Sequence, residues 1–244
     1  MTTTLPETTT LTPAEVRLVE QICVAARALS GSGHDDFNQG QVSARMPGSS
    51  TFFIKNATTG FSECTPDDVL VASVDPHAPL HPLLPPEVVL HQAVYAARPD
   101  VNGVVHSHAP HTLVFGATDL ALRAISHDGA FFENRVPRFT LTSTTILDLP
   151  VATAVAEALG DAPAAFLRNH GGVVVGKSVR HATVAAQLLE RACQLQLLAE
   201  SLPHGYHSSS PEDVEAKREF NFADLSIRSY WDYLARRFGG ARGA

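Results

Sequence analysis

Val16, Val19, Ile22, Cys23, Ala26 and Leu29 recur at the three- and four-residue spacing of one helix face. Thr12-Pro13-Ala14-Glu15 precedes them and offers an N-cap, a proline for the first turn and a capping-box acid. That helix ends at Gly31-Ser32-Gly33. A polar loop from Asp36 to Gly40 then runs into the alternation of Gln41-Val42-Ser43-Ala44-Arg45, and Thr51-Phe52-Phe53-Ile54 follows as a short apolar run, so the two read as paired strands. Pro86 to Arg98 predicts a helix with Glu87 in its first turn, Val101 to His106 a strand, and His111 to Ala117 and Val151 to Leu159 two further helices. The β-branched run Gly172-Val173-Val174-Val175-Gly176 predicts a buried strand, and Ser178 caps a long amphipathic helix reaching about Leu202. Residues 1–11 are Thr-rich and aperiodic and predict a disordered tail. Residues 12–244 read as one domain, with 203–244 a helical extension whose aromatic stretch, Phe220 through Leu234, is expected to pack on a neighbouring subunit or to cover the site. Helices alternate with strands, but no strand is followed by a glycine-rich phosphate loop. The pattern therefore predicts an α/β domain with a helix-covered central sheet and disfavours a nucleotide-binding one.

Composition narrows the function classes. A chain of 244 residues, 44% hydrophobic and 18% charged, can bury a sizeable core in one domain. A net charge of -7 gives no general attraction to phosphate backbones or anionic lipids, so neither nucleic acid nor membrane is the expected partner. No apolar run approaches the roughly 20 residues of a membrane span, and Met1-Thr2-Thr3-Thr4-Leu5-Pro6 is no signal peptide, which leads to an expected cytoplasmic location. Cys23, Cys64 and Cys193 are widely spaced and suggest neither a disulfide framework nor a thiolate metal site; Cys23 and Cys193 read as small core residues on helices. With twelve histidines, a transition metal here would be held mainly by imidazole.

The candidate chemistry lies in His106-Ser107-His108 and Asn169-His170-Gly171. Histidines two apart on an extended segment point to the same side, so they can grip one ion together. A third histidine from a loop completes the three-nitrogen set of catalytic metal sites and leaves positions open for substrate. A lone His-x-His is more often a pair of satisfied or surface side chains. Its company decides otherwise here.

That company is a series of motifs in fixed order: Asn38-Gln39-Gly40-Gln41-Val42-Ser43-Ala44-Arg45, Thr65-Pro66-Asp67-Asp68-Val69, Glu87 with His91 one turn on, Tyr95-Ala96-Ala97-Arg98-Pro99-Asp100, Val104-Val105-His106-Ser107-His108-Ala109-Pro110, and Leu167-Arg168-Asn169-His170-Gly171. Over residues 13–200 the chain resembles the class II aldolase/adducin family. The resemblance implies a nine-stranded, largely antiparallel sheet between helical layers and a four-fold homotetramer with active sites at subunit interfaces. It implies one divalent ion per subunit on His106, His108 and His170, zinc being expected and Mn, Fe or Co the alternatives. Glu87 takes the place of the catalytic acid/base, His127 that of a proton-donating tyrosine, and Asn38, Gly40 and Gln41 lie in the substrate-binding loop.

The departures from the family's pattern are as informative. Its sugar-phosphate enzymes hold the phosphate with a Thr-Ser-Gly-Asn-like loop and two serines just ahead of the catalytic acid; here Asn38-Gln39-Gly40-Gln41 and Pro85-Pro86 stand there. Prolines carry neither hydroxyl nor N–H, so half of the phosphate clamp is missing. The Gly-Thr dipeptide expected near Leu147-Asp148 is absent too. The resemblance thus implies a carbon–carbon lyase that stabilises an enediolate or enolate on its metal, acting on a small hydroxy or keto compound other than a standard sugar phosphate. A decarboxylase of hydroxylated aromatic or heteroaromatic acids is the runner-up, followed by an epimerase, a non-haem iron oxygenase and a non-catalytic adducin-like scaffold. Among the remaining residues, His34-Asp35-Asp36 reads as a solvated turn in preference to a contribution to a polar pocket beside the glycine loop, His91 as a hydrogen-bonding residue behind Glu87, Arg45 as a partner for a site acid or a strand decoration, and His181, His204 and His207 as surface or tail residues.

Overall fold

The computed structural model describes residues 11–240. All but Leu11 of the predicted N-terminal tail lies outside them. The helices are α1 (Pro13–Ser30), α2 (Val88–Ala97), α3 (Pro110–Ala117), α4 (His127–Phe132), α5 (Leu149–Leu159), α6 (Val179–Glu200), α7 (Pro211–Asn221) and α8 (Asp224–Phe238). The strands are β1 (Gln41–Ala44), β2 (Thr51–Lys55), β3 (Val69–Ser73), β4 (Gly103–Ser107), β5 (Arg138–Phe139), β6 (Ala164–Leu167) and β7 (Gly171–Gly176). They form one sheet in the order β3-β2-β1-β4-β7-β6-β5, antiparallel throughout except for β5 against β6. Among the described residues the sheet has seven strands, two fewer than the resemblance implies. No helix among them is long and apolar enough to cross a membrane.

Strand alternation divides the core into two layers. Val42, Ala44, Phe53, Val105 and Val174 face α1 and α6, whose Ile22, Leu29, Ala185 and Leu189 complete that layer. Phe52, Ile54, Val104, Val173 and Val175 face α2 and α5 through Leu90, Val94, Val155 and Leu159. The centre of the sheet is buried on both faces, which is why β7 is a continuous apolar run. Helix α1 starts as its sequence dictates: Glu15 N donates to Thr12 Oγ1 and Thr12 N to Glu15 Oε2.

The expected helix from Pro86 begins at Val88, because Glu87 keeps a non-helical backbone at the N-cap and its side chain does not cap. Its carboxylate is thereby free to face the sheet. The aromatic C-terminal stretch is two helices broken at Phe222-Ala223. Ile227, Trp231 and Leu234 of α8 pack on α1 and α6 of their own chain, so the buried side of this stretch serves the chain's own core. Arg45 neither meets a site acid nor decorates a strand. Its guanidinium donates to the carbonyls of Tyr95, Arg98 and Val101, closing the C-terminal end of α2, where helix carbonyls lack partners.

Candidate metal centre

His106 lies on β4, the sheet's middle strand, and His108 follows directly after its last residue, Ser107. Val104 faces α2 and α5 while Val105 faces α1 and α6, so alternation turns His106 toward the helix that begins after Glu87. His170 arrives from the neighbouring hairpin. β6 and β7 are joined through Arg168-Asn169-His170, with Asn169 in the left-handed region at φ 58° and His170 N donating to Leu167 O at 3.0 Å. The next residue has to be glycine. A Cβ on Gly171 would sit 2.4 Å from Ser107 O and 3.0 Å from His108 Cδ2, so this close backbone approach is what packs the turn against Ser107 and His108 at the end of β4.

The result is a group of four side chains, Glu87, His106, His108 and His170, whose ligand atoms all lie within 4.8 Å of one another. The three ring centroids are 5.0 to 5.2 Å apart. Glu87 Oε2 is 3.1 Å from His106 Nε2, Glu87 Oε1 is 3.3 Å from His170 Nε2, and Oε1 accepts the Ile146 N–H at 2.9 Å. His106 Nδ1 donates to the Gly172 carbonyl at 3.0 Å, and His108 Nδ1 donates to Asp36 Oδ2 at 2.8 Å. Each of those bonds fixes the proton on Nδ1 and turns the Nε2 lone pair inward. Both Nε2 atoms are buried; His108 Nε2 has no hydrogen-bond partner, and His106 Nε2 faces only the Glu87 carboxylate. His170 differs: its Nδ1 is the buried atom with no partner, so the acceptor expected behind every ring is present for two of the three.

Electrostatics marks the same point. Burial alone would raise the Glu87 carboxyl, but His106 beside it, the Ile146 N–H and His170 outweigh burial and push its pKa down to about 2. Burial opposes protonation of His106, yet Glu87 and the Gly172 carbonyl raise its pKa above the ordinary value. His170, which burial and the two neighbouring imidazoles disfavour as a cation, is lowered to about 4. Three imidazole nitrogens and a carboxylate oxygen around one point are a donor set for a divalent transition ion, and unpartnered inward nitrogens are what such an ion would satisfy.

The loop residues behave differently from the quartet. Gln41 is paired in register with His106 and is buried with its Oε1 unpartnered. Gly40, at φ 76°, lies against Phe61 and the His106 carbonyl, where a Cβ would meet the ring at 2.9 Å. Asn38 is exposed, and its side chain donates to Ala57 O while its carbonyl accepts from buried Lys55. His127 is not one of the four: it is exposed at the first turn of α4, its carbonyl accepting from Asn221.

For His34-Asp35-Asp36 the less favoured of the two readings holds: the stretch is tied to the site and is not a solvated turn. Asp36 holds His108, Asp35 accepts from Ser30, and His34 is buried with Nδ1 2.9 Å from Ser107 Oγ. The signal for Asp36 was available in the rule that ligand histidines carry a carboxylate behind them; that for the Ile146 N–H and the Gly172 carbonyl was not, since any residue supplies a backbone group. His91 does hydrogen-bond, but to Ser43 on β1 at 2.7 Å, and Ser43 in turn meets Tyr95 OH. His181 is half-buried against Ser178 and Asp224, where a surface residue was expected.

Comparison with known proteins gives the family. The family model for the class II aldolase and adducin N-terminal domain matches residues 20–197. Decarboxylase NovR of Streptomyces niveus is 30% identical over 129 residues, which are 52% of this chain and 45% of that protein, so the chain matches less than half of its length. The 5-methylthioribulose-1-phosphate/5-deoxyribulose-1-phosphate aldolase of Escherichia coli O45:K1 is 24% identical over 194 residues, 78% of this chain and 87% of that one. The crystal structure of an aldolase II superfamily protein from Pseudomonas syringae has a TM-score of 0.81 at 27% identity, covering 93% of this chain and 94% of the other. With the family model spanning most of its length and the fold shared over nearly all of it, this chain belongs to the class II aldolase and adducin family.

Proposed function

We propose that the protein is a divalent-metal-dependent carbon–carbon lyase acting on a small hydroxy or keto compound. The observation that carries this reading is the convergence of Glu87 with the inward nitrogens of His106, His108 and His170. His106 and His108 would hold the ion through Nε2, with Gly172 O and Asp36 fixing the two rings from behind, and His170 would supply the third nitrogen. Zinc suits three imidazoles, and Mn, Fe or Co fit the same donors. When bound, the ion supplies positive charge for a substrate oxygen on which negative charge develops.

Glu87 is the group that moves protons. Buried, ionised and held through Oε1 by the Ile146 N–H, it accepts the proton of the substrate hydroxyl as the carbon–carbon bond breaks. It then returns that proton to the carbon left with the electron pair. In the alternative reaction, decarboxylation, the same carboxylate delivers a proton to the carbon that loses CO₂; the similarity to a protein named as a decarboxylase supports keeping this second reading. His127 would reach a site only across a subunit boundary, in a homotetramer with active sites at its interfaces.

The substrate end argues against a standard sugar phosphate. Pro85 and Pro86 precede Glu87 and offer no donor, and the Thr58 and Thr59 N–H groups, on the turn that Ala57 N–H ties to Leu83 O, are both taken by Asn56 Oδ1. The test is a panel of hydroxy-ketone, hydroxy-acid and sugar-phosphate substrates offered to the metal-loaded protein, with carbon–carbon cleavage followed by product analysis. The proposal expects turnover of a non-phosphorylated member. Cleavage of L-fuculose 1-phosphate with kcat/KM above about 10⁴ M⁻¹s⁻¹, within the usual range for a true substrate, would contradict the phosphate argument; no carbon–carbon cleavage of any member would contradict the lyase.

A further inference from the structure

Away from the metal centre, α1 and the turn after β2 line a half-open cavity of about 720 Å³ whose wall includes Cys23 and Cys64, together with Glu20, Arg27, Ser62 and Glu63. Both thiols are free and buried, and the proposed lyase chemistry uses neither. Arg27 brings them together. It lies one helical turn after Cys23 on the same face of α1, and its guanidinium donates to the Cys64 carbonyl at 2.6 Å and to the Phe238 carbonyl at 2.8 Å. The Cys64 backbone is therefore tied to the turn of α1 next to Cys23. The third cysteine, Cys193, is buried on α6 and does not line this cavity.

We propose that Cys23 and Cys64 form an oxidation site, in which a peroxide admitted by the cavity converts the two thiols to an intramolecular disulfide. The Cys23 thiolate attacks one peroxide oxygen, the O–O bond breaks, and hydroxide leaves, giving a sulfenic acid. The Cys64 sulfur attacks the Cys23 sulfur, the S–O bond breaks, and the oxygen departs as water with the proton of Cys64. Two thiols and one hydrogen peroxide give one disulfide and two waters, two electrons passing from sulfur to oxygen. The order of attack follows from the surroundings: contact with Cys64 lowers the Cys23 thiol, burial opposes this, and the Arg27 charge lowers it further, while the same contact and burial raise Cys64. The bond would pin α1 to the turn carrying Phe61, whose ring packs under Gly40, two positions from the residue after the strand partner of His106.

The experiment uses the full chain in its native state, exposed to graded hydrogen peroxide, then denatured, alkylated and peptide-mapped. The expected result is a fall from three free thiols to one per chain, a mass lower by two hydrogen atoms, a Cys23–Cys64 cross-link with Cys193 alkylated, and reversal by a phosphine reductant. Three persisting thiols, a cross-link that includes Cys193, or sulfinic acid at Cys23 or Cys64 without a cross-link would overturn the proposal. In the Cys64→Ala variant, Cys23 should accumulate as a sulfenic acid that dimedone traps. Should that variant fail to fold, the wild-type map alone decides.

Discussion

Two buried carboxylates, Glu87 and Glu190, each sit beside a helix start and each contact histidine, yet their surroundings differ in what is left open. Glu190 accepts four donors: the His111 N–H and Nδ1–H on one oxygen, the Thr112 N–H and Oγ1–H on the other. It thereby caps α3 from across the interface with α6, supplying what Ala109 at the N-cap lacks. Glu87 accepts one backbone N–H and otherwise faces imidazole nitrogens that have no other partner. Residue type is the same in the two places. Saturation makes one carboxylate structural, and its absence leaves the other available for an ion and a proton.

The isosteric change to glutamine separates these roles most sharply. Glu87→Gln should keep the fold and lose about 10²- to 10⁴-fold in kcat on whichever substrate is identified, the usual contribution of a positioned general acid or base. Glu190→Gln should leave turnover within a few-fold below the melting transition but reduce stability by about 1–3 kcal/mol, because an amide N–H₂ then faces donors that need an acceptor. Thermal melts and steady-state rates on both variants check the pair; an unstable Glu87→Gln with normal kcat would erase the distinction.

Asp36 tests the support behind the open site. Asp36→Asn keeps a hydrogen-bond acceptor for His108 but removes the charge, and should weaken metal affinity by about 10- to 100-fold without changing which ion is preferred. Competition against a chromophoric chelator reads this directly, and unchanged affinity would mean that the His108–Asp36 bond is only structural.

An effect confined to acid pH concerns His34, whose Nδ1 meets Ser107 Oγ at the end of β4. Burial holds its pKa down at about 4, against 6.5 for the free side chain. The unfolded chain therefore binds an extra proton between those values, so the His34 contribution to stability is fully present above about pH 6.5 and is lost as pH falls toward 4. By pH 5 the wild type should lose about 2 kcal/mol on this account. His34→Asn should flatten the dependence between pH 7 and pH 5 in urea titrations; an unchanged slope would mean that His34 is not held neutral by burial.

The same contrast between local and distant partners explains what the sequence disclosed. The capping box at Thr12 and Glu15, the β-branched run of β7 and the same-side placement of His106 and His108 are local rules, and each is visible within a few residues. β6 is Ala-Ala-Phe-Leu, without alternation and with helix-forming alanines, and became a strand only because both of its faces are buried in the sheet. The break between α7 and α8 falls at Phe222-Ala223, where no proline or glycine announces it. The groups that complete the site were hidden by distance: Asp36 is 72 positions from His108, and Ile146 is 59 from Glu87.

Whether the open quartet is a metal centre is decided by elemental analysis of the purified protein beside its His106→Ala, His108→Ala and His170→Ala variants. About one divalent transition ion per chain is expected in the wild type, as one three-imidazole site requires, with a marked loss in each variant and the fold retained by circular dichroism. Full occupancy in all three variants, or a wild type that takes up no ion on incubation with zinc, manganese, iron or cobalt, would contradict it.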